Sequence, residues 1–211
     1  MRSESWLSEI EPRLSSQFRF LLEIDRLKNV LRGSRVADAS RKENTAEHSW
    51  HLGMFASVLS EWAVGEISVS RVIEMLLIHD IVEIDAGDTP LFAQDSEATH
   101  EEAERAAALR IFGLLPSDQT EYFRRLWEEF EQANSADARF AKAIDRLQPI
   151  LLNHVVGGGT WLDYDVNEGQ ERSLTSRIAE GSPELWSAAE AVFADAVNKG
   201  WLKPSPGLLN G

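Results

Sequence analysis

Val72-Ile73-Glu74-Met75-Leu76-Leu77-Ile78-His79-Asp80-Ile81-Val82 is an apolar run with polar groups only at Glu74, His79 and Asp80. A helix that is apolar on nearly all sides belongs in a protein interior, and this one is far too short to span a bilayer. The chain on either side repeats the helical period. Residues 16–31 set Phe18, Leu21, Leu22, Ile24, Leu27 and Val30 along one side. Residues 44–62 open with Asn44-Thr45-Ala46-Glu47, a capping residue with Glu three positions on. The apolar run itself predicts a helix over 70–84. Further helices are expected over 96–112, 117–133, 137–156 (kinked near Pro149) and 182–199. Gly87-Asp88-Thr89-Pro90, Leu115-Pro116-Ser117 and Gly157-Gly158-Gly159 punctuate them. No segment alternates long enough to suggest a strand. The expected fold is all-α, in one domain over 1–211, with a frayed tail from Lys203.

The composition of the 211 residues is that of an ordinary soluble protein, 43% hydrophobic and 27% charged. With 21 Lys and Arg against 35 Asp and Glu, the net charge is −14, which argues against a sequence-independent grip on a nucleic-acid polymer. A small anion is not excluded, because a bound metal or a local Arg reverses the field inside one cleft. Cysteine is absent, so disulfides, thiol nucleophiles and cysteine zinc sites are ruled out. The first residues lack the continuous apolar core of a signal peptide. A cytoplasmic protein without membrane contact is the expectation.

The anomaly is the ionisable pair His79-Asp80 inside an apolar helix. A buried carboxylate costs several kcal/mol unless it is paired or bound to a metal. Alone, the pair reads as a satisfied core histidine with Asp80 bridged to an arginine. It is not alone: His48 lies early in the preceding helix, and Asp145 lies downstream among apolar neighbours in Ala143-Ile144-Asp145-Arg146-Leu147. Two imidazoles and two carboxylates from three helices suit one divalent ion of the Mn, Co, Fe or Zn class, with positions left for water and substrate. Glu83, four residues after His79 and three after Asp80, shares their helix face on this reading. Asp88 stands past the helix end, in the turn that Gly87 permits.

The order His48, His79-Asp80, Asp145 resembles the signature of the HD-domain metal-dependent phosphohydrolases. The strings Leu27-Lys28 with Arg32, Glu43 to Ser49, His79 to Glu83, Gly87-Asp88 and Asp145 to Pro149 resemble the 5′-deoxynucleotidase branch over about 18–161. The resemblance implies a helical HD domain that hydrolyses deoxyribonucleoside 5′-monophosphates. It implies His48, His79, Asp80 and Asp145 as metal ligands, Glu83 and Asp88 as catalytic carboxylates, Arg32 as the phosphate-side cation, and a homodimer. The acid and base roles of Glu83 and Asp88 stay open. Bacterial members of this branch carry an aromatic just after the arginine, whereas 33–42 contains none, which leaves the choice of deoxyribose over ribose unassigned. Two other readings remain: a related phosphohydrolase acting on another phosphate ester or a di- or triphosphate, and a nucleotide-binding regulator without turnover. Of the other histidines, His51 reads as packed behind the site, His100 as surface and His154 as a core or capping residue.

Overall fold

A computed structural model of the chain describes residues 5–88 and 97–205. Thr89, Pro90, Ser96 and the last six residues of the tail lie outside the described residues. The elements are α1 (Pro12–Ile24), β1 (Leu31–Arg35), β2 (Lys42–Asn44), α2 (Thr45–Leu59), α3 (Val69–Ile78), α4 (Glu83–Ala86), α5 (Glu97–Phe112), α6 (Ser117–Gln132), α7 (Ala136–Val155), α8 (Thr160–Asp163), α9 (Glu168–Thr175), α10 (Ile178–Gly181) and α11 (Pro183–Asn198). The fold is helical, as expected. Among the described residues, no helix is long and apolar enough to cross a membrane.

α7 runs through the middle, packed against α2, α3, α6, α10 and α11. Its buried side carries Phe140, Ala141, Ile144, Leu147 and Gln148, the recurrence expected of a helix with one apolar face. α7 continues through Pro149. Proline has no N–H, so it removes the donor that the Asp145 carbonyl would otherwise meet four residues on. α2 begins as the sequence predicts: the Asn44 side chain accepts from Glu47 N–H at 2.9 Å, and the Glu47 carboxylate accepts from Asn44 N–H at 3.2 Å. Thr45, His48, Ser49, Leu52 and Ala56 form its buried face.

Three expectations need correction. The first helix stops at Ile24, and 31–35 pair antiparallel with 42–44 as a short irregular hairpin, so Arg32 sits on a strand. The helix expected over 70–84 ends at Ile78. His79 Nδ1 donates to the Leu76 carbonyl at 2.8 Å, and the Trp127 indole N–H donates to the His79 carbonyl at 3.1 Å. Side chains thus take carbonyls that a continuing helix would use. His79 and Asp80 lie in the ensuing turn, and Glu83 opens α4, so the three do not share one helix face. Finally, α8, α9 and α10 fill 160–181, where no helix is expected. They follow a turn in which Gly157, Gly158 and Gly159 all have positive φ, and a Cβ on Gly159 would come within 2.5 Å of Asn153 Oδ1.

Candidate metal and phosphate site

The end of α3, the first turn of α2 and the middle of α7 bring His79, His48 and Asp145 together, with ligand atoms all within 4.8 Å of one another. His48 Nε2 stands 3.1 Å from Asp145 Oδ1, and His79 Nε2 stands 3.5 Å from the same oxygen. Asp80 Oδ2 lies 3.0 Å from His79 Nε2 and 3.9 Å from His48 Nε2. Donors held about 2.1 Å from a shared ion are spaced about 3–4 Å apart, so these positions suit one cation.

The far side of each imidazole shows that a cation fits. His79 Nδ1 meets a carbonyl, and His48 Nδ1 meets Gln148 Oε1 at 3.2 Å. Both acceptors hold a proton on Nδ1, so each ring, when neutral, turns the Nε2 lone pair toward carboxylate oxygens. Lone pair against carboxylate is repulsive unless positive charge lies between them. The buried His79 Nε2 makes no well-formed hydrogen bond. Burial alone would lower the His79 pKa, yet Asp80 and Asp145 override it and push it up to about 10. Burial, and then repulsion from Arg32, takes His48 down to about 4. Burial would raise Asp145, but the His48 and His79 rings that face it hold it well below the ordinary range. The cluster favours one positive charge among its carboxylates.

Gln148 has no counterpart in the sequence reading beyond its place in the string ending at Pro149. It is fully buried, faces His48 with its oxygen, and donates to Glu43 Oε1 at 2.9 Å. Glu43 in turn accepts from the Ser34 hydroxyl at 3.3 Å. A sequence signal existed: an amide three residues after Asp145 on the same helix side.

Arg32, Glu83 and Asp88 border the same cavity, of about 340 Å³, as His79 and Asp145. Arg32 Nη1 donates to Asp80 Oδ2 at 3.0 Å and lies 3.7 Å from Asp88, while its buried Nε makes no hydrogen bond and lies 3.8 Å from Glu43 Oε2. The Thr45 hydroxyl donates to Glu83 Oε2 at 2.9 Å, and Gly33 N–H donates to Asp88 Oδ2 at 3.3 Å. Burial first, and then the charges of Asp80 and Asp88, push Glu83 up to about 9. Burial also raises Asp88, against the pull of Arg32. Glu83 is buried rather than an exposed helix-end charge. His100, expected at the surface, lines this cavity beside Glu104, 3.1 Å away. His51 lies behind the site, 3.3 Å from Gln148 Nε2.

A family model described as HD domain matches residues 24–186. A Homo sapiens protein named 5′-deoxynucleotidase HDDC2 is 31% identical over 138 residues, 64% of this chain and 66% of that protein. The Danio rerio protein of that name is 27% identical over 162 residues, 76% of each. The chain thus spans just under two thirds of the human relative's length. A crystal structure from Magnetospirillum magnetotacticum, described as a predicted metal-dependent phosphohydrolase, matches with a TM-score of 0.86 at 49% identity, over 91% of this chain and 96% of that one. With the model covering well over half of its length, the chain belongs to the HD domain family.

Proposed function

We propose that this single-domain protein is a metal-dependent phosphohydrolase that converts deoxyribonucleoside 5′-monophosphates to deoxyribonucleosides and phosphate, as a cytoplasmic homodimer. The observation that carries the reading is the meeting of His48, His79 and Asp145, the last two on the wall of a cavity that also presents Arg32, Glu83 and Asp88. The names of the curated relatives supply the substrate class.

On this reading His48, His79, Asp80 and Asp145 hold one divalent ion. Such an ion supplies Lewis-acid polarisation of the phosphoryl group and lowers the pKa of water toward neutrality. Arg32 offers its guanidinium to a phosphate oxygen, and its fixed charge offsets the dianion. Glu83 and Asp88 handle the protons. Burial keeps both toward the protonated form, so a carboxyl O–H is at hand for the departing 5′-oxygen, and the carboxylate left behind takes up the proton released by the attacking water. Gln148 and the Leu76 carbonyl fix the two imidazoles so that both Nε2 atoms face the cluster.

The test is phosphate release from chelator-stripped protein supplied with Mn²⁺, Co²⁺, Mg²⁺ or Zn²⁺. Substrates are deoxy- and ribonucleoside 5′-monophosphates, 3′-monophosphates and deoxynucleoside triphosphates. Metal-dependent release confined to deoxyribonucleoside 5′-monophosphates is expected. Release mainly from triphosphates would move the assignment to another phosphate ester. Binding of nucleotide without release, in metal-loaded protein, would replace the enzyme with a regulator.

A further inference from the structure

Glu43, on β2, is only 3% exposed, and it takes no part in the proposed reaction. Its carboxylate is met by donors. Gln148 Nε2 donates to Oε1 at 2.9 Å, the Ser34 hydroxyl donates to Oε2 at 3.3 Å, and Arg32 Nε lies 3.8 Å from Oε2. Burial pushes the carboxyl up, and Arg32, Gln148 and Ser34 pull against that push.

Gln148 links this carboxylate to the metal cluster. Its amide could sit either way round, because the oxygen and the NH2 group have nearly the same size. The neighbours decide between the two. A carboxylate accepts and does not donate, so the NH2 group faces Glu43. His51 Nδ1 stands 3.3 Å from the same nitrogen, and burial holds that ring toward its neutral, accepting form. The amide oxygen is left for His48 Nδ1, 3.2 Å away. Since that oxygen only accepts, Nδ1 carries the proton. Turned round, the amide would set its N–H groups against Nδ1 and move the ring proton to Nε2, which closes that nitrogen to a cation. Asp145, 3.1 Å from Nε2, favours the turned-round state whenever no cation is bound. The bias toward an open Nε2 therefore has to come from behind the ring.

We infer that Glu43 is a positioning residue: by fixing the Gln148 amide it sets the tautomer of His48 and keeps Nε2 open to the metal. The inference rests on the reading of His48 as a metal ligand. It also gives the hairpin a second task. Ser34 on β1 and Glu43 on β2 tie the strand that carries Arg32 to α7, the helix that carries Asp145 and Gln148.

The experiment measures the affinity of chelator-stripped protein for Zn²⁺ or Co²⁺ by chelator competition. Wild type is compared with Glu43→Gln and with the reciprocal pair, Glu43→Gln together with Gln148→Glu. In the single variant two amides face each other, and the turned-round orientation is no longer excluded. Affinity should fall about tenfold or more. In the pair the carboxylate stands next to His48 and accepts from Nδ1–H directly, so most of the lost affinity should return. A residue that only fills space or holds the fold would not be rescued by this exchange. A single variant that binds as tightly as wild type would overturn the inference, as would a folded pair that binds no better than the single variant. If a variant does not fold by circular dichroism, wild type carries the test. ¹⁵N NMR of the metal-free protein at pH 7 should show His48 protonated at Nδ1 alone, and a ring protonated at Nε2 would overturn the inference. Failure of the parent reading looks different: wild type itself would take up neither ion.

Discussion

The two ends of the cavity are built differently. At one end, three long elements deliver the polar groups: α2, α3 and α7 fix His48, His79 and Asp145 to within hydrogen-bond distances. Four carboxylates (Asp80, Glu83, Asp88 and Asp145) surround that end, with Arg32 among them. At the other end, short helices after a glycine turn set one carboxyl against one guanidinium. The first end concentrates negative charge around a place that favours a cation. The second sets a single guanidinium charge, Arg146, against a single carboxyl, Glu171.

The sharpest way to break this comparison is at the rigid end. Asp145→Ala should abolish metal binding and lower turnover by at least about a thousandfold, the scale of removing a preorganised electrostatic group. Metal content by elemental analysis, together with phosphate release, checks it, and a variant that keeps its metal removes Asp145 from the ligand set. Glu83→Gln separates proton handling from metal binding: kcat should fall about 10²- to 10⁴-fold with metal content unchanged. Loss of metal here would make Glu83 part of the cation cluster.

Stability against pH tests the other end. Burial pushes the Glu171 carboxyl from its ordinary 4.5 up to about 7. The folded chain therefore holds this proton more tightly than the unfolded chain. The stabilisation is complete below pH 4.5 and is lost as the pH rises through about 7, by an amount on the order of 3 kcal/mol. Glu171→Gln should flatten that part of the profile, measured as urea midpoints of both proteins from pH 5 to 8. Parallel profiles would mean that Glu171 ionises without cost. The smallest effect belongs to Gln148→Leu, which leaves every ligand in place but frees His48 Nδ1. Metal affinity should drop about 10- to 100-fold by chelator competition. An unchanged affinity would mean that helix packing alone orients His48.

The rigid end was legible from sequence because ionisable residues in apolar helices are costly and therefore conspicuous. His48, His79 and Asp145 stand out for that reason, and the Asn44–Glu47 cap fixes where α2 begins. The hairpin escaped notice because 31–35 and 42–44 are short, polar and without alternation. The end of α3 escaped because the apolar run continues past it. What stops the helix is the His79 ring and Trp127, the latter 48 residues away, and no local pattern carries that information. Glu171 lies in a polar segment with no periodic partner, so only tertiary burial distinguishes it from a surface glutamate. His100 differs for the opposite reason: its neighbours Glu101 and Glu102 are exposed, yet His100 itself pairs with Glu104 on the cavity wall.

Asp80 Oδ2 stands 3.0 Å from Arg32 Nη1 and 3.0 Å from His79 Nε2. One oxygen thus answers to the guanidinium offered to the anion and to the cluster offered to the cation. On the proposed function, a cation that draws on this oxygen would loosen its hold on Arg32 and free the guanidinium to meet a phosphate. Thermodynamic linkage makes the traffic two-way: the factor by which filling the cluster tightens phosphate binding is the factor by which phosphate tightens the cluster on its ion. On that reading, phosphate and metal retention would be a single equilibrium, and the protein saturated with phosphate would resist chelation.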